Sequence, residues 1–143
     1  MTTTGTPAAE TTAQRFGRIV LGAAMIFAGV GHLTFARQEF TAQVPPWLPV
    51  PADVTVLASG GVEIALGAAM ILLTNRRAVV GLLLAVFFVV IFPGNIAQWL
   101  HHRDAFGLNS DRARLVRLFF QPVLIAWALW CTGAWRLVRR RDR

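Results

Sequence analysis

Four apolar runs divide the chain, at about 17–36, 54–74, 78–100 and 115–137. Each is close to the roughly twenty residues that a helix needs to cross a bilayer. The pattern predicts an all-α integral membrane protein, a bundle of four transmembrane helices. Residues 1–14 are rich in Thr, Ala and Gly, lack periodicity, and are expected to form a disordered cytoplasmic tail. Arg15 and Arg18 precede the first run as in a signal peptide, but the run is too long and no A-x-A site follows, so it is expected to be retained. Between the first two runs stand Pro45, Pro46, Pro49 and Pro51. They forbid a helix there, and with Trp47 they predict an interfacial loop lying on the bundle. A Pro-rich ligand for SH3-type domains is the alternative reading, disfavoured because such ligands are recognised in cytoplasm and solvent.

The second run closes in the short basic turn Thr74–Arg77. After the third comes a polar loop, 101–114, with Gly107, Asn109 and Ser110, from which the last helix starts near Asp111. The expected organisation is a tail at 1–14, one transmembrane domain at 15–138 and a basic cytoplasmic tail at 139–143.

Polar residues interrupt this apolar background at few positions. Glu63 lies within Ser59–Gly67, where a carboxylate costs several kcal/mol unless paired, protonated or wet. Gly60 and Gly67 flank it at helical spacing, so another helix can approach its face closely. His32 stands late in the first span, Asn95 and Gln98 late in the third, Arg117 and Gln121 early in the fourth. Asn95 and Gln98 are three apart and Arg117 and Gln121 four apart, so each pair shares a helix face. An up-and-down topology gathers all six into the half of the bundle away from the termini, within about 5–15 Å of that boundary at 1.5 Å per residue. Pro93 and Pro122 adjoin the cluster and free backbone carbonyls beside it.

Two readings compete. In one, Glu63 pairs with Arg117, His32 joins them, and the cluster is a polar lock that fixes helix register. In the other, the six residues line a cavity for a small molecule: Arg117 holds an anion or polarises a carbonyl, Glu63 and His32 exchange protons, and the amides orient the ligand.

Composition narrows the class. Of 143 residues 55% are hydrophobic and 15% charged, against about a quarter charged in soluble domains. The net charge of +7 does not indicate nucleic acid, because the arginines sit at the ends of apolar runs. All fourteen basic residues are Arg. With both termini inside, nine of them are cytoplasmic and five lie opposite, which favours an N-in, C-in orientation. The single cysteine, Cys131, excludes an internal disulfide and reads as a small buried hydrophobe. Adjacent His101 and His102 point about 100° apart on a helix, and His32 with Glu63 lack a third donor, so no metal site is expected. No Gly-rich dinucleotide motif is present, and no covalent cofactor is expected.

In Gly31-His32-Leu33, Val44-Pro45-Pro46-Trp47-Leu48-Pro49, Ser59-Gly60-Gly61-Val62-Glu63, Phe92-Pro93-Gly94-Asn95 and Arg117-Leu118-Phe119-Phe120-Gln121 the chain resembles the DoxX family of small four-span membrane proteins. The likeness runs from about Phe16 to Thr132. It implies a multi-pass protein of a bacterial plasma membrane. Its relatives span a subunit of a thiosulfate:quinone oxidoreductase, a mycobacterial member of an oxidative-stress complex, a maturation factor for methylamine dehydrogenase and an animal receptor chaperone. The resemblance implies a quinone-linked redox or oxidative-stress complex subunit acting on small sulfur compounds or thiols. Membrane lipid, a quinone, a small sulfur anion and redox protein partners are the expected company. A non-enzymatic scaffold or assembly factor is the alternative, and a carrier of lipid or hydrophobic small molecules a third.

Overall fold

The structure is a computed structural model, described over residues 9–104, Gly107 and 110–141; Asn109 and the outer parts of both expected tails fall outside the described residues. The described chain forms α1 (Thr12–Leu33), α2 (Arg37–Thr41), α3 (Ala52–Leu72), α4 (Arg77–Leu100), α5 (Asp111–Thr132) and α6 (Trp135–Arg141), with a single 3-10 turn at Thr74–Arg76 before α4. Helices α1, α3, α4 and α5 are long and apolar enough to cross a membrane. This is the architecture of a multi-pass membrane protein.

Helix ends follow local chemistry. The Thr11 hydroxyl accepts from the Gln14 backbone N–H while the Gln14 side chain accepts from the Thr11 backbone N–H, a reciprocal capping box. The expected tail at 1–14 is therefore corrected at its inner end: the helix begins at Thr12. Ser110 caps α5 through Ala113 N–H, beside the expected start at Asp111. At the other end Gly133 adopts a left-handed φ of 73°, open to glycine without a Cβ clash, and ends α5. The expected fourth span to residue 137 thus stops at Thr132, and residues placed in its last turn and in the basic tail form the separate α6. Pro93 and Pro122 both lie inside continuous helices.

The long helices pack antiparallel, and the tightest contact joins α1 to α3. A Cβ on Gly29 would stand 2.6 Å from the Gly60 carbonyl oxygen, and one on Gly67 would stand 2.6 Å from that of Gly22. Two glycine pairs, each seven residues apart on its own helix, let the backbones touch. The close approach expected at Gly60 and Gly67 is made, and α1 makes it. Helix α5 packs against α4, where Gly81 receives Thr132, and against α1, where Gly17 receives Trp130 and Cys131. Between α2 and α3 the chain crosses the end of α4, with the Gln43 carbonyl oxygen 2.7 Å from where a Gly94 Cβ would be. The Pro-rich segment lies on the bundle as expected, with Val44 buried and Trp47 exposed.

The interior is divided. Leu21, Met70, Leu84, Ala128 and Cys131 of the apolar core lie in the half that contains the start of α1 and the end of α5, and Met25 and Phe88 continue it to mid-bundle. Of the buried polar side chains, His32, Asn95, Gln98 and Arg114 lie in the other half and Glu63 and Gln121 at the boundary, while Arg18 and Thr132 are buried at the apolar end.

Candidate functional site

Glu63 is the twelfth residue of the twenty-one in α3, so it sits at mid-helix rather than near the boundary. Its side chain is 7% exposed, enclosed because Gly60 and Gly67 draw α1 onto that face. The partner delivered by α1 is His32, whose Nδ1 is 2.8 Å from Glu63 Oε2 and 2.9 Å from the Ala28 carbonyl oxygen. A nitrogen between two oxygen acceptors carries the proton. That proton is directed along the helix to Ala28, so Glu63 Oε2, fully buried, has no hydrogen bond among the described residues. The Phe40 ring stacks on the His32 imidazole at 3.3 Å between centroids and covers it.

A second polar group joins α4 to α5. Asn95 Nδ2 donates to Gln121 Oε1 at 3.2 Å, and Gln121 Nε2 donates to the Phe88 carbonyl oxygen at 2.7 Å, five residues before Pro93. Arg117 reaches the same Gln121 Oε1 at 3.5 Å. Arg117 has no carboxylate within ion-pair distance among the described residues, so the expected Glu63–Arg117 pair is not formed. The reason is the pairing of helices: α3 turns Glu63 toward α1, while Arg117 belongs to the α4–α5 pair.

Gln98 belongs to a third group. Its Oε1 accepts from Gln43 Nε2 at 3.1 Å and its Nε2 donates to the Arg103 carbonyl at 3.3 Å. Arg103 in turn donates to the carbonyls of Ala42 and Val44. Gln98 therefore ties the loop down instead of pointing into a common cluster with Asn95.

The two remaining groups are level with each other. Along α1, Gly29 faces Gly60 and Gly17 faces Cys131. Counting from these contacts, Glu63 and Gln121 share one level of the bundle, and His32 and Arg117 share another further from the termini. An acceptor without a donor and a guanidinium without a carboxylate thus occupy neighbouring levels on the two helix pairs. No described hydrogen bond or ion pair links the pairs at these residues.

Sequence reasoning missed three arginines' roles. Arg18, 2% exposed, donates to the Met70 and Ile71 carbonyls at the end of α3 and pairs with Glu10 at 2.6 Å. A cation at a helix C-terminus offsets the unsatisfied carbonyls there. The available signal was its helical face, which it shares with Gly22, Met25 and Gly29. Its hydrogen bond, with that of Arg15 and nearby positive charge, holds the Glu10 carboxyl below its ordinary value despite desolvation. Arg114, 5% exposed, binds the His102 and Arg103 carbonyls, Asp104 and Asp111, and so organises the start of the 102–110 connection. Only the Asp111–Arg114 spacing of three hinted at this. Arg103, as above, holds the Ala42–Val44 strand of the loop, and nothing in the sequence pointed to it.

A family model described as a domain of unknown function, DUF8561, matches residues 21–132. No curated protein and no solved structure matches the chain.

Proposed function

We propose that this chain, which belongs to the DUF8561 family, is a membrane-embedded subunit that takes a small carbonyl-bearing molecule, a quinone, into the polar half of its bundle. The observation that carries the reading is the complementarity across the two helix pairs: among the described residues, buried Glu63 Oε2 accepts no hydrogen bond although His32 Nδ1 is 2.8 Å away, and Arg117 has no carboxylate within ion-pair distance. A quinone ring would meet Arg117 and the Gln121 amide at one carbonyl oxygen. Reduction of a quinone to a quinol consumes two electrons and two protons. Glu63 and His32 are in hydrogen-bonding range to relay those protons. The electrons come from outside this chain, from a thiol or a small sulfur anion oxidised at a partner protein.

The resemblance to DoxX proteins supports the choice of ligand and of electron donor. The arginine distribution supports an N-in, C-in orientation, and the resemblance to DoxX proteins supports a bacterial plasma membrane. Asn95 and the amide of Gln121 would orient the ring, and Gln98 would act from a distance by holding the loop that roofs this half.

One observation favours a scaffold instead. Asn95, Gln121 and the Phe88 carbonyl form a buried chain of satisfied hydrogen bonds, which is what a register lock between α4 and α5 requires.

Thermal melting in detergent separates the two. A quinone analogue at a hundredfold excess over Kd should stabilise the wild type by about 2.7 kcal/mol. Glu63→Gln and Arg117→Gln should fold and lose that gain. Reduction of the quinone by thiosulfate should then depend on both residues once the partner is supplied. Absence of any ligand-dependent shift in the wild type, with both variants simply melting earlier, would leave the lock as the function.

A further inference from the structure

At the end of the bundle away from the termini, α4 and α5 part around an open cleft of about 440 Å³ lined by Trp99, Leu100, His102, Asp111, Arg112 and Leu115. None of the six polar positions weighed above lines it. The volume is that of a small-molecule site, and such sites combine apolar walls with a few polar groups. Here Leu100 and Leu115 form exposed apolar walls on the two helices, and the half-buried Trp99 lines the cleft from α4.

The charges at the rim are unequal. Asp111 is engaged by His102 at 2.6 Å and by the buried Arg114 at 3.3 Å, and Asp104 by Arg114 at 2.6 Å. Arg112 is exposed and forms no ion pair with a described residue. One unneutralised guanidinium therefore borders an apolar cleft where two membrane-crossing helices end, the layer in which Trp side chains concentrate. A soluble anion would satisfy the guanidinium and leave the walls wet. A neutral apolar chain would do the reverse.

We infer that this cleft binds an anionic phospholipid of the surrounding bilayer, its phosphate on Arg112 and one acyl chain against Trp99, Leu100 and Leu115. The planar guanidinium matches a phosphate through two parallel hydrogen bonds. This site is independent of the quinone reading and uses none of its residues.

The test is native mass spectrometry of the purified full chain offered phosphatidylglycerol or phosphatidylcholine with identical acyl chains. The wild type should retain phosphatidylglycerol about fivefold over phosphatidylcholine, the ratio that corresponds to roughly 1 kcal/mol per surface arginine. Arg112→Gln should abolish the preference, and Arg112→Lys should keep most of it. Leu115→Trp, or Leu100→Trp should the first fail to fold, fills the cleft and should lower retention of both lipids. Arg140→Gln in α6 should change none of this. The inference is overturned by equal retention of the two lipids, or by a preference that survives Arg112→Gln or falls equally in Arg140→Gln. It is also overturned by unchanged retention in a folded cleft-filled variant, or by full displacement of the lipid with millimolar inorganic phosphate.

Discussion

His32 Nδ1 faces two acceptors at nearly equal distance, Glu63 Oε2 at 2.8 Å and the Ala28 carbonyl oxygen at 2.9 Å. The hydrogen bond of that nitrogen goes to Ala28, and Glu63 Oε2 beside it accepts none among the described residues. The two side chains are thus energetically coupled. His32→Ala should destabilise the protein by about 3 kcal/mol, because it removes the polar group nearest the buried Glu63 carboxyl and leaves that carboxyl in an apolar gap. The same change in a Glu63→Gln background should cost far less. Thermal melting of the four proteins forms the double-mutant cycle, and additive effects would refute the coupling.

The glycines of α1 and α3 are not equivalent. Gly29→Ala or Gly67→Ala drives a methyl group against a backbone carbonyl and should cost on the order of 1–3 kcal/mol through separation of α1 from α3. A Cβ on Gly61 meets nothing within 4 Å, so Gly61→Ala should raise stability by about 0.5–1 kcal/mol. Melting temperatures moving in opposite directions are the expected result.

Gln121 is the hub between α4 and α5. Gln121→Leu leaves Asn95 Nδ2 and the Phe88 carbonyl without these partners, at about 1–3 kcal/mol for a buried unsatisfied group. Asn95→Leu should cost less, since Gln121 keeps its bond to Phe88. A chemical-denaturation series on both variants checks the order, which a lock made by Asn95 alone would reverse.

Glu10 makes part of the stability dependent on acid. Its folded-state carboxyl lies below the ordinary value of 4.5, first because Arg18 donates a hydrogen bond to it. That contribution is complete above the ordinary value and disappears as pH falls through the lowered one. The melting temperatures of wild type and Glu10→Gln should differ at pH 7, and the difference should shrink as pH falls below the ordinary carboxyl value and through the lowered one. A difference that persists unchanged into acid would assign the effect to packing rather than charge.

How much of this was legible is clearest at particular residues. The spans were, because about twenty apolar residues in a row have no better environment than hydrocarbon. So was the close approach at Gly60 and Gly67, since missing side chains at helical spacing leave a groove whatever fills it. The capping box at Thr11 and Gln14 is also present in the sequence, as a Thr followed three residues later by Gln, but it stands within a polar, aperiodic stretch whose composition is that of a tail.

The partners were not legible. Glu63 and Arg117 carry groups of opposite charge type toward the same half of the bundle, and sequence spacing alone allows them to meet. Which face α3 turns toward α1 depends on the glycine contacts of both helices at once, and that rotation gives Glu63 to His32. The Gln43–Gln98 bond depends on the course of a Pro-rich loop over α4, and Arg18 on where α3 happens to end beside α1. The sequence by itself determined the helices, their apolar character and the few polar residues that must be accommodated, because these follow from local composition and periodicity. Tertiary structure alone decided which polar groups pair and which stay open, because helix rotation and register are properties of the packed interface and not of any one segment.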